Sequence, residues 1–183
     1  MTRKSTVTVG IAAWLAMLGG LANSAHDKYS AKVPGGLAIS EFRGYEGWQA
    51  IGISRNDRMM AMILGNPVMI RAYQAGIPAN GQPVPDGARM AKVHWKPKQN
   101  AFFPDTTGPG ELANVDFMVK DSKRFADSGG WGYAVFDYNA TSDSFTPGTT
   151  AGTPPQGNDA KCGFACHTKA KARDYVFTEY GRR

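Results

Sequence analysis

The sequence predicts a single α+β domain, rich in antiparallel strands, with a few packed helices. Three observations point there. Glycine and proline are abundant, 22 and 11 copies in 183 residues, and long heptad-like patterns are absent, so a bundle of long helices is excluded. Short segments alternate polar and apolar residues between turn signals. Setting aside a 25-residue leader leaves about 158 residues, enough for one domain with its own core.

That leader comes first. Arg3 and Lys4 open it, an apolar run extends from Val7 to Leu21, and Ala22-Asn23-Ser24-Ala25 supplies small residues. Charged start, apolar centre and small-residue end are the parts of a secretory signal, with cleavage after Ser24 or Ala25. An uncleaved anchor is the alternative, weakened by the short run and the Gly19-Gly20 pair. Nothing later approaches a membrane span. The expectation is a signal at 1–25, a domain at 26–183 and a periplasmic or secreted location.

The domain's elements follow in order. Residues 26–40 read as an exposed arm broken at Pro34-Gly35-Gly36. A strand starts near Trp48 and runs to Ser54, and Met59 to Leu64 alternates less clearly. Asn66-Pro67 starts a helix, with proline in the first turn, which stops at Gly76. Pro78 to Asp86 is a loop. Arg89 to Lys96 alternates well, with Ala91, Val93 and Trp95 on one face and Met90, Lys92, His94 and Lys96 on the other. Asn100 to Gly110 reads as a long irregular loop. Val115 to Lys120 and Gly132 to Tyr138 read as strands, with a short turn or helix at Ser122 to Phe125. Thr146 to Asp159 reads as exposed, and Phe164 to Arg173 as a helix.

The formal net charge is +6; losing Arg3 and Lys4 with the leader lowers it by two, to +4. The positive residues are scattered and no nucleic-acid motif is present, so a solvated face or a dock for an acidic redox partner fits better than nucleic acid.

The chemistry is concentrated in Cys162-Gly163-Phe164-Ala165-Cys166-His167, which holds both cysteines of the chain. Cys-x-x-Cys-His is the signature of c-type haem attachment, in which two thiols add to the haem vinyl groups and histidine ligates the iron. The spacing here is one residue longer, and the Cys-His order is kept. On a helix, Cys162 and Cys166 would share one side. An exported chain suits this chemistry. Two other readings exist: a small disulfide contributing about 2 kcal/mol, or a zinc site, for which no clear fourth ligand is present. With haem, His167 is the proximal ligand. His94, or one of the eight methionines, is a candidate sixth ligand. An open or water-bound distal site is the preferred reading, since five-coordinate iron favours ligand binding and catalysis.

An ordered set of segments carries a resemblance over most of the mature chain. These are Phe42-Arg43-Gly44-Tyr45-Glu46-Gly47-Trp48, Gly65-Asn66-Pro67, Ala75-Gly76-Ile77-Pro78, Pro85-Asp86-Gly87, Phe117-Met118-Val119-Lys120-Asp121-Ser122 and Gly129-Gly130-Trp131-Gly132-Tyr133. Cys166-His167-Thr168 and Asp174-Tyr175-Val176-Phe177-Thr178 close it. In these the chain resembles the cytochrome P-460 family, which includes the cytochromes c′-β.

The resemblance implies a β-rich fold, one haem c near the C-terminus and commonly a homodimer. It implies two functional branches: oxidation of hydroxylamine by members with a lysine cross-linked to the haem, and binding of gases such as nitric oxide by members without it. A simple electron carrier is a third class. Lys92 stands about where the cross-linking lysine stands, with Lys96 and Lys98 as neighbours. Phe102 and Phe103 are expected either to cap the distal face or to anchor their loop. Glu41, Glu46, Asp86, Asp105 and Asp121 are candidate proton acceptors.

Overall fold

The computed structural model describes residues 27–31, 33, 36–148 and 161–181, with the backbone alone for Lys161 and Cys162. The leader, His26 and residues 149–160 of the expected C-terminal loop lie outside the described residues.

Six strands form one antiparallel sheet in simple chain order: β1 (Gln49–Arg55), β2 (Met60–Gly65), β3 (Arg89–Gln99), β4 (Thr107–Lys120), β5 (Trp131–Asn139) and β6 (Ser144–Pro147). The sheet buries residues on both faces. On one face Leu64, Ala91, Val93, Val115, Phe117, Ala134 and Phe136 form a core with the N-terminal segment. On the other, Ile63, Met90, Met118 and Tyr133 pack with α1 (Pro67–Gln74) and with Val176 near the C-terminus. The face assignment expected for 89–96 holds.

The segment read as an exposed arm is packed instead. Leu37 and Ile39 are fully buried, and Tyr29 and Val33 nearly so. Phe42 stacks on Phe117 at 4.1 Å between ring centroids. The Tyr29 hydroxyl donates to Glu46, and Lys28 pairs with the same carboxylate at 2.7 Å. Tyr29, Val33 and Leu37 precede a short 3-10 turn at Ile39–Phe42 and lie in no regular element, so neither strand nor helix periodicity reveals them.

Two further corrections concern strands. β4 begins at Thr107, inside the segment read as loop, because Pro109 lies opposite Pro97 and Gly108 opposite Lys98 in an extended hairpin. β6 was not expected at all. At the hairpin tip Phe102 and Phe103 are 88% and 68% exposed, so they neither cap a cavity nor anchor the loop. Asn100 shapes this tip, its Oδ1 accepting from both phenylalanine amides.

α1 starts where Asn66-Pro67 signals it. The Asn66 Oδ1 accepts from Met69 N and Arg89 N, and its Nδ2 donates to the Gly87 carbonyl. One side chain thus caps the helix and ties it to the start of β3. Asn66→Ala should lower stability by about 1–2 kcal/mol, the upper range for an N-cap, in urea unfolding. A loss no larger than that of an exposed surface change would show that the cap does not hold this corner.

Candidate haem cavity

A cavity of about 370 Å³ lies between the sheet and the C-terminal segment. Its floor comes from the register. Ile63, Lys92, Asp116 and Val135 are successive cross-strand partners on β2, β3, β4 and β5, and all four line the cavity. The next row, Met90, Met118 and Tyr133, lines it too. Directly opposed residues share a face, so two rows make a continuous wall that is mostly apolar. A lysine and a carboxylate stand side by side within it.

The opposite wall is α2 (Lys161–His167) and the chain after it. Gly163, Cys166 and His167 line the cavity from α2, and Val176, Phe177 and Thr178 from beyond the turn. The expected helix to Arg173 is shorter: α2 ends at His167 and a 3-10 segment continues, kinked at Ala170. Cys162 and Cys166 are one turn apart on α2. Cys166 carries a free, exposed thiol. A Cβ on Gly163 would fall 2.8 Å from the Tyr133 Cβ, so glycine lets α2 lie directly on β5.

His167 is held in one orientation. Its Nδ1 lies 2.6 Å from the Tyr175 carbonyl oxygen. A carbonyl only accepts, so Nδ1 carries the proton and Nε2 keeps its lone pair. Tyr133 and Phe177 flank the ring at 5.2 and 4.9 Å between centroids. Burial lowers its pKa most, aided by the Lys92 charge and opposed by the Tyr175 hydrogen bond and by Asp116.

Asp116 was not among the expected acceptors, and Glu41, Glu46, Asp86, Asp105 and Asp121 do not line the cavity. Its pKa is raised to about 6, chiefly by loss of hydration, with the Lys92 charge opposing. About a third of its side-chain surface remains open (37%). The apolar rows around the carboxylate limit the water available to solvate it. Asn114 Nδ2 donates to its Oδ1 at 2.8 Å.

His94 lies one row further along and does not line the cavity, so it is not positioned as a second ligand from this wall. Its Nε2 is buried without a hydrogen-bond partner, 3.6 Å from Asp116 Oδ2, too long for a hydrogen bond. Burial lowers its pKa to about 4. The Tyr133 hydroxyl is likewise buried and unpartnered. Met90 and Met118 are the methionines that line the cavity. Lys96 pairs with Glu111 on the surface at 2.8 Å, and neither it nor Lys98 lines the cavity; of the three neighbouring lysines only Lys92 does. Among the described residues no cluster of three or more His, Cys, Asp or Glu side chains is placed to hold a metal ion by itself, and no helix is long and apolar enough to cross a membrane.

The cytochrome P460 family model matches residues 42–178. The chain belongs to the cytochrome P460 family. It is therefore a haem-binding cytochrome, and the match spans β1 through the turn after α2. No curated protein matches the chain. The cavity suits a haem on its own chemistry. A neutral imidazole with its second nitrogen already bonded to a carbonyl is the usual form of a metal-ligating histidine. A free thiol stands on the same helix, and the apolar rows would face a macrocycle.

Two predictions follow from this geometry. Gly163→Ala should force α2 off Tyr133 and cost about 1–3 kcal/mol, as overpacking does, read by thermal unfolding; an unchanged melting temperature would contradict the close approach. The second concerns acid. His94, with a lowered folded pKa, loses stability for the fold as pH falls from 6.5 toward 4. Asp116, with a raised one, loses it as pH rises from about 4 to 6. Relative to the parent protein, His94→Gln should therefore gain stability toward pH 4. Asp116→Asn should show its advantage above pH 6 and lose it toward pH 4. Denaturation across this range that gave parallel curves would contradict both assignments.

Proposed function

We propose that the chain is an exported mono-haem c-type cytochrome that oxidises hydroxylamine or a related small nitrogen compound. Its haem is attached through Cys162 and Cys166 and ligated by His167. The observation that carries the reading is that His167, Cys166, Lys92 and Asp116 border one cavity although 74 residues of sequence number separate Lys92 from Cys166. A bound haem would supply the substrate's binding position and the acceptor for its electrons.

The chain's own residues supply the rest. His167 Nε2 is the iron ligand, oriented through Nδ1. Lys92 would be the lysine bonded to the macrocycle, and distortion of a bound ring is one of the protein's means of tuning it. Hydroxylamine gives up protons with its electrons, and Asp116 is the acceptor. A carboxyl titrating near pH 6 exchanges protons readily at neutral pH. Met90, Met118, Ile63 and Val135 limit water. Electrons leave to a partner cytochrome, for which the basic surface is suited. The working unit is a homodimer, as the family resemblance implies.

The apolar rows favour a second reading, a non-catalytic binder of uncharged gases such as nitric oxide. Lys92 decides between them. In protein made by a cytochrome-maturing host, Lys92→Ala should keep covalent haem, seen as haem stain on a denaturing gel. It should lose a strongly red-shifted ferrous Soret band and hydroxylamine turnover together. An ordinary c-type spectrum in the parent protein, unchanged in the variant, would contradict the cross-link and leave the gas binder. A parent protein without stain would contradict covalent attachment.

A further inference from the structure

The turn after α2 is built around a buried ion pair that touches none of the cavity. Lys120, at the end of β4, is 6% exposed. Its Nζ donates to both oxygens of Asp174 at 2.8 and 2.9 Å and to the Gly129 carbonyl at 2.9 Å. It also lies 5.2 Å from the Trp131 ring centroid. Asp174 Oδ2 accepts from Val84 N at 2.7 Å as well. One carboxylate thus joins β4, the loop before β3 and the C-terminal segment.

The backbone there is unusual. Asp174 and Tyr175 both adopt left-handed conformations, φ 47° and 64°, a strained arrangement for two consecutive non-glycine residues. Such a turn persists only where its surroundings fix it. Tyr175 N donates to the Ala170 carbonyl at 2.9 Å. The Tyr175 ring lies where a Cβ on Gly129 would fall, 2.2 Å from its nearest atom. The product of the turn is the direction of the Tyr175 carbonyl, which meets His167 Nδ1.

We infer that Lys120 and Asp174 are positioning residues for His167: their ion pair holds the left-handed turn that aims the Tyr175 carbonyl at the imidazole. This rests on the reading of His167 as the iron ligand. A hydrogen bond from Nδ1 to a carbonyl fixes the ring and raises the basicity of the other nitrogen. A more basic ligand favours the oxidised iron. Loosening the turn should therefore weaken the iron–histidine bond and raise the midpoint potential.

Removing one charge would strand the other in a buried place, so the informative variant removes both. Lys120→Met with Asp174→Asn replaces the pair by neutral groups of similar shape, a change that buried pairs often tolerate, and asparagine accepts a left-handed φ. The holoprotein is compared with its parent by haem stain, by the iron–histidine stretching frequency of the ferrous form and by potentiometry. The expected result is retained covalent haem, a lower stretching frequency and a higher potential. Retained haem with both quantities unchanged would make the pair a fold stabiliser only and overturn this inference alone. A double variant too unstable to isolate is replaced by Lys120→Arg, which keeps both charges but not the geometry of the pair, and is read by the same two quantities. A parent protein lacking covalent haem would overturn the functional reading and this inference with it.

Discussion

The site depends on one register across four strands. Because side chains alternate along a strand, sliding β3 by a single residue would carry Lys92 out of the cavity wall and into the opposite core. In the observed register Lys92 faces Asp116, and the pair stands in an apolar row between Ile63 and Val135. The Lys92 charge offsets part of the cost of desolvating the Asp116 carboxylate. Both faces of the sheet bury large apolar groups, Phe42 and Phe117 on one side and Trp131 and Met69 on the other. Slippage would therefore expose both cores at once. The fold's need for two covered faces is what fixes the chemistry of the cavity.

The C-terminal segment closes that cavity, and its own hold on the sheet is polar as well as apolar. Tyr73 donates to the Thr178 carbonyl at 2.8 Å and stacks with Tyr180 at 5.3 Å. Gln49 donates to the Tyr180 hydroxyl at 2.7 Å. With Val176 buried in the core beside α1, these contacts lock Val176, Phe177 and Thr178 across the cavity from the sheet. Three glycines serve close approach rather than turning alone: Gly163 under Tyr133, Gly129 under Tyr175 and Gly132 under Phe125, whose ring lies 2.5 Å from a built Cβ. The Gly129-Gly130-Trp131-Gly132-Tyr133 run is thus a seat for aromatic rings and for the Lys120 stem.

Much of this was legible in the sequence. β3 announces both its faces by alternation, α1 is bracketed by Asn66-Pro67 and Gly76, and the cysteines and His167 stand together in six residues. What was hidden has physical reasons. Gly108, Pro109 and Gly110 carry loop chemistry, yet the antiparallel partner at 96–99 holds them extended. Leu37 and Ile39 are buried at the entry to a 3-10 turn, where there is no usable period. Asp116 sits in Asn-Val-Asp-Phe-Met as an ordinary polar strand residue, and only its cross-strand neighbour makes it a cavity group. The paired phenylalanines at 102–103 read as a distal cap or a loop anchor, since large apolar residues usually find cover. Here they crown a hairpin tip in solvent. The role of Asp174 could not be read from its neighbours in sequence, because its partner lies 54 positions away.

The proposed haem lies between the cross-strand rows and α2, with its iron on His167. Anomalous X-ray scattering at the iron edge, on crystals of the mature holoprotein, tests this placement most directly. The expected result is a single iron peak inside the cavity within bonding distance of His167 Nε2, with continuous density from the macrocycle to Cys162 and Cys166. An iron peak elsewhere, or a Cys162–Cys166 disulfide beside an iron-free cavity, would contradict it.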